Sequence, residues 1–104
     1  MHPFERFDAW THCHRFTLAV YAATRTWPTD ERFGLISQIR RAAVSAEVNI
    51  AEGSAKRGPR EFRRYLDISL GSLSETACLI RIAADLGYLT KPEADSLEAL
   101  RNRA

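Results

Sequence analysis

Leu35-Ile36-Ser37-Gln38-Ile39-Arg40-Arg41-Ala42-Ala43-Val44-Ser45-Ala46-Glu47-Val48-Asn49-Ile50-Ala51-Glu52-Gly53 decides the fold class. Leu35, Ile39, Ala42, Ala43, Ala46 and Ile50 recur at three- and four-residue steps, the mark of a helix with one apolar face. Gly53 is a natural stop. The pattern predicts a helix from about Asp30 or Phe33 to Glu52.

The same periodicity continues outward on both sides. Upstream, Asp8 is a plausible N-cap for a helix to about Thr26, with Trp10, Cys13, Thr17, Val20 and Thr24 as its stripe, Phe16, Tyr21 and Ala23 flanking it, and Trp27-Pro28 ending it. Downstream, Pro59 suits a first helical turn, and Phe62, Leu66, Ser69, Leu73, Ala77, Ile80 and Ala84 carry a helix to Leu86, which Gly87 ends. Thr90-Lys91-Pro92-Glu93 has the spacing of a capping box and opens a short fourth helix with Ala94, Leu97 and Leu100 inward. No segment shows sustained period-two alternation, so the fold is expected to be all-α.

One hundred and four residues fit one domain, which excludes a multidomain enzyme. A charged share of 27% with 45% apolar residues is that of a globular chain. No apolar run approaches the roughly 20 residues that span a bilayer, and the start lacks the order of a signal peptide, so a cytoplasmic protein is expected. Cys13 and Cys78 stand alone and far apart, which argues against a disulfide framework. The net charge of +2 hides an asymmetry: residues 56–64 hold five basic side chains against one acidic, whereas residues 1–55 balance at six each. Thirteen of the fifteen cations are arginine, the residue suited to bidentate phosphate or carboxylate contacts.

Two helices carry more apolar surface than one stripe needs. Val44, Val48 and Ala51 lie opposite the core stripe of the second helix, and Ile68, Leu79, Ile82 and Leu86 form a second row on the third. Two apolar faces need two partners, and a second copy of the chain is the simplest source of the other. Gly71 and Ser72 in mid-helix favour close helix approach there. The expected oligomer contact is thus Val44, Val48, Ile68, Gly71, Leu79 and Ile82.

Catalytic and metal chemistry find little support. His12, Cys13 and His14 are neighbours, but adjacent helical residues point about 100° apart and cannot converge on one ion. Cys13 sits on an apolar stripe where a thiolate is disfavoured, and all three histidines precede residue 15, away from the carboxylates of a di-iron bundle. No glycine-rich phosphate loop occurs. No enzymatic activity, metal or cofactor is expected. The basic cluster remains: Lys56, Arg57, Arg60, Arg63 and Arg64 form a candidate polyanion site, with Arg40 and Arg41 as secondary contacts. The competing expectations are that these arginines pair with Glu47, Glu52 or Glu61 inside the protein or between copies, and that the chain is a protein-interaction scaffold in which Arg40, Arg41, Glu52 and Glu75 pair between helices or subunits.

Phe7-Asp8-Ala9-Trp10, the run from Gly34 to Ser45, Asn49-Ile50-Ala51-Glu52-Gly53, Glu61-Phe62, Gly71-Ser72-Leu73-Ser74-Glu75 and Asp85-Leu86-Gly87-Tyr88-Leu89 resemble the family named for the 23S ribosomal RNA intervening-sequence protein. The resemblance implies an antiparallel up-down four-helix bundle, a homopentameric ring and a bacterial setting, with no established molecular role. A more distant similarity, in fold and charge, is to the accessory protein of diversity-generating retroelements, a basic pentamer that engages nucleic acid. Two departures stand out. The proline common after Val44-Ser45 is replaced by Ala46-Glu47-Val48, and the fourth helix is short. Asn49, Glu52 and Glu75 are expected as structural polar residues. Together these expectations describe an oligomeric bundle that binds RNA or DNA backbone with weak sequence preference and does not act at a membrane.

Overall fold

Why each helix starts and stops where it does is legible in the computed structural model, which describes residues 2–56 and 58–104. Four α-helices run Asp8–Thr24 (α1), Leu35–Ser54 (α2), Pro59–Asp85 (α3) and Lys91–Arg103 (α4), with 3-10 turns at Pro3–Arg6 and Thr29–Glu31 and no strand among the described residues. α2 begins later than its apolar pattern suggests. Thr29–Glu31 coil into their own turn, and the Glu31 carboxylate then accepts a hydrogen bond from the Leu35 N–H at 3.3 Å, satisfying one donor of the new helix. α3 ends as its glycine implies. Gly87 takes φ +83°, and the N–H groups of Tyr88 and Gly87 bond back to the carbonyls of Ala83 and Ala84. α4 opens on the expected capping box, Thr90 Oγ1 accepting from Glu93 N–H and Glu93 Oε1 from Thr90 N–H.

α1 packs on α2 and α4, and α3 packs on α2 and α4, so every helix has two neighbours around one core. The register of the contacts is explicit. Between α1 and α2, His14 meets Glu47, Thr17 meets Ala43 and Thr24 meets Arg40; between α2 and α3, Ala46 meets Ser69 and Ser45 meets Ser72. Small residues let α2 sit centrally: Ala42, Ala43, Ala46 and Gly53 are all buried. At Gly53 a Cβ would stand 2.9 Å from the Cβ of Tyr65, so only glycine permits this approach of α2 to α3.

On α1 and α2 the core largely follows the expected stripes, whereas on α3 Ser72, Thr76, Leu79 and Ala83 are buried and the expected Phe62, Leu66, Ala77 and Ala84 are only half-buried. Phe16, placed beside the α1 stripe by its spacing, is fully buried. Trp27 and Leu89, both in connections, close the core near the α1–α2 and α3–α4 loops. Buried hydroxyls find partners in carbonyls: Thr17 Oγ1 donates to Cys13 O, Ser69 Oγ to Ala46 O and Thr76 Oγ1 to Leu73 O.

The second apolar row on α3 needs one correction. Ile68 and Ile82 are exposed, as are Val44 and Val48 on α2, but Leu79 is only 5% exposed and belongs to the core. Leu79 follows Ser72 by two helical turns, and Ser72 already touches Ser45 of α2, so this flank of α3 is covered within the chain. Gly71 is exposed and a Cβ there would meet nothing. α2 is unbroken from Leu35 to Ser54, as the missing proline implies.

Candidate nucleic-acid interface

The basic cluster is built by the turn from α2 to α3. Gly58 adopts φ +86°, which lets the chain reverse in few residues, and Pro59 fills the first helical position, where its missing N–H is no loss. Arg60, Arg63 and Arg64 therefore project from the first two turns of α3. All three are exposed, as is Lys56. None of these four takes part in an ion pair among the described residues. The Lys56 ammonium lies 5.6 Å from the centroid of the Tyr65 ring. Arg57, expected in the same cluster, lies outside the described residues.

The carboxylates that could have neutralised the cluster are otherwise placed. Glu47 Oε2 is 2.8 Å from His14 Nδ1, tying α2 to α1. Glu52 and Glu75 are exposed and Glu61 half-buried, and none of the three forms an ion pair among the described residues. Asn49 has the structural part expected of it: its Nδ2 donates to Ser45 O and Ser45 Oγ, and Ser45 Oγ meets Ser72 Oγ at 3.0 Å across the α2–α3 seam.

Arg40 and Arg41 do not join the cluster. They sit toward the other end of α2, about 20 Å from Ser54 at 1.5 Å per residue. Arg40 is half-buried. Its Nε donates to Thr24 Oγ1 at 2.8 Å, an Nη donates to Tyr21 O, and the guanidinium lies 4.5 Å above the Tyr21 ring, so it clamps α2 to α1. Arg41 is exposed and lines a groove of about 420 Å3 with Gln38, Ala42, Ser45, Ser72 and Glu75, without pairing to Glu75. Arg64, one turn on from Arg60, extends the cluster along the helix. It heads the row Arg64, Ile68, Gly71, Glu75, Cys78 and Ile82, whose four- and three-residue steps keep it on the outer face of α3.

Aromatic side chains gather at the same end. Phe7 meets Phe62 edge to face at 5.2 Å, Trp10 stacks on His14 at 4.9 Å, and Phe4 tilts against Trp10 at 4.8 Å. Trp10 and His14 are an i, i+4 pair within α1, but spacing does not reveal the contact of Phe7 with Phe62, which joins the start of α1 to α3 across the fold. The one usable signal was the aromatic density of residues 4–16. Cys13 is fully buried, and burial first, then the negative charge of Glu47, pushes its thiol up to about 11. It is a core residue and no nucleophile.

A sequence model of the family described as 23S rRNA-intervening sequence protein matches residues 5–104. The chain belongs to that family. No individually curated protein matches it. The span matched to the 23S rRNA-intervening sequence protein family takes in all four helices, and with them both the basic turn and the exposed outer row of α3. No helix among the described residues is long and apolar enough to cross a membrane.

Proposed function

We propose that the chain is a non-enzymatic nucleic-acid-binding bundle that grips RNA or DNA backbone through Lys56, Arg60, Arg63 and Arg64. The observation that carries this is the exposure of four cations at one turn, none of them neutralised by an ion pair among the described residues. Like charges at i and i+4, as Arg60 and Arg64 are, repel unless an anion lies between them, and a polyphosphate supplies that anion. The family's description ties it to an intervening sequence of 23S rRNA, which makes RNA the natural first probe.

The proposed working form is an antiparallel up-down bundle repeated in a homopentameric ring. Val44, Val48, Ile68 and Ile82 leave an apolar face between 36% and 43% exposed, with Gly71 beside them, and a second copy would cover it. A ring would repeat the basic turn on each subunit, so weak single contacts would add to strong multivalent retention. A salt titration of RNA binding by the assembled protein tests the proposal. Affinity should fall linearly with salt on logarithmic axes, by roughly 0.7 per phosphate neutralised on a single strand or 0.9 on a duplex. Arg60→Glu with Arg64→Glu should abolish retention and leave assembly intact; no binding by the unaltered protein at low salt would sink the reading.

A further inference from the structure

The flank of α3 that meets α4 is covered along only part of its length. Ala77, Ile80, Arg81 and Ala84 line a groove closed by Ala94, Asp95 and Glu98 of α4. Ala84, Ala77, Leu70 and Arg63 follow one another at seven-residue intervals, two helical turns each, so all four belong to one row. Ala77 and Ala84 lie half-buried under α4, whereas Leu70 is 59% exposed and Arg63 is exposed. In that bare stretch two notches adjoin. Pro59, Phe62, Arg63 and Leu66 line one of about 290 Å3, and Pro59, Arg60 and Arg63 line the other, of about 260 Å3. Pro59 and Arg63 are common to both.

The two notches offer opposite chemistry within one helical turn. Phe62 and Leu66 present ring and alkyl surface, which gives a phosphate nothing and a flat base a place to stack. Phe62 is held in place by its edge-to-face contact with Phe7. Arg60 and Arg63 present guanidinium groups, which need an anion, and the planar guanidinium of Arg63 can also stack on a base. Side chains three residues apart on a helix have Cβ atoms about 5–6 Å apart, the scale that separates a base from its own phosphate.

We infer that this double notch seats one nucleotide of a single-stranded polynucleotide, its base on Phe62 and Leu66, its phosphate on Arg60, and Arg63 between the two. The inference rests on the polyanion reading above and narrows it from backbone contact to an unpaired base. A duplex keeps its base faces stacked inside the helix and leaves the apolar notch empty. An amphipathic protein helix is the less suitable occupant, since it seats anchors over two or more turns and Arg63 interrupts the strip between Pro59 and Leu66.

The test uses the full chain in its assembled state with three probes: an unstructured RNA oligomer, the same RNA annealed to its complement, and an abasic strand of equal length. The single strand should bind about tenfold or more tighter than the other two. Phe62→Leu, which keeps apolar bulk, and Arg63→Lys, which keeps charge, should each erase most of that preference while duplex binding holds. Equal affinity for all three probes overturns the inference and leaves the backbone reading standing. Absence of binding to any probe at low salt overturns the backbone reading, and this inference with it. Capture of an acidic amphipathic helical peptide by the unaltered protein and not by Phe62→Leu, with no preference for the single strand, overturns it in favour of a protein partner.

Discussion

Arg40 on α2 and the cations of the α2–α3 turn are treated in opposite ways. Toward the α1–α2 and α3–α4 loops, Arg40 is bonded to Thr24 and Tyr21, and the Glu31 carboxylate accepts from Leu35 N–H and from the Tyr88 hydroxyl at 2.9 Å, although Arg25 and Arg32 nearby are exposed and form no ion pair among the described residues. At the end formed by the α2–α3 turn, Lys56, Arg60, Arg63 and Arg64 point outward without ion-pair partners among the described residues. The two groups lie about 20 Å apart along α2, more than two screening lengths at physiological salt, so they act electrostatically as separate sites. An arginine-rich composition alone therefore says little. What matters is whether a neighbouring helix offers the guanidinium an acceptor, as Thr24 Oγ1 and Tyr21 O of α1 do for Arg40.

Five experiments break or sharpen this contrast, the largest effect first. Gly53→Val places a branched side chain against Tyr65 at the α2–α3 turn; overpacking should destabilise the protein by about 1–3 kcal/mol in urea unfolding, and an unchanged midpoint would show that the helices part freely there. Next, altering each group in turn should separate stability from binding. Arg40→Ala removes a side-chain hydrogen bond and a cation–π contact and should cost about 1–2 kcal/mol of stability with RNA retention preserved, whereas Arg60→Ala should stay within about 0.5 kcal/mol and weaken retention. If both variants behave alike, the two groups do not differ in the way described.

A smaller effect tests the start of α4. Thr90→Ala should cost about 1 kcal/mol by removing the acceptor for Glu93 N–H. The bond from Thr90 N–H, then that of the Thr90 hydroxyl, holds the Glu93 carboxyl below its ordinary range. A carboxyl lowered on folding stabilises above its unfolded pKa, and that stabilisation is lost as pH falls through the folded value. Melting curves across acid pH should show this loss in the unaltered protein and not in Glu93→Gln. Smallest in energy is a labelling contrast. Cys78, exposed on the single chain in the row of Ile68 and Ile82, should react with a thiol reagent in the dissociated folded protein and more slowly on assembly, while Cys13, buried and raised to about 11, should react only on unfolding.

Most of the fold was legible because helix punctuation is local chemistry. Gly58-Pro59, Gly87 and the Thr90–Glu93 box each satisfy or remove a backbone donor within a few residues, so their spacing marks the ends of α3 and α4 directly. The start of α2 was less legible, since the capping group is a carboxylate on Glu31 that also serves Tyr88, a residue 57 positions away. Leu79 was misplaced for a related reason. Its angle on the wheel falls between two rows, and only the path of α2 decides which side covers it. The basic cluster was readable as charge density, but the separation of Arg40 from it depends on Tyr21 and Thr24 of α1, and the apolar notch beside Arg63 depends on how far α4 extends along α3.

The partial cover of α3 also bears on how the molecule opens. Leu73, Ile80 and Ala83 are held by the common core, so their amides should exchange with solvent only when the whole bundle unfolds. The first turns, from Arg60 to Leu66, rest on α2 and on Phe7 with one flank bare. They should fray and reclose as a small cooperative unit at far lower free energy, which makes the segment bearing the cations the most adaptable stretch of the longest helix.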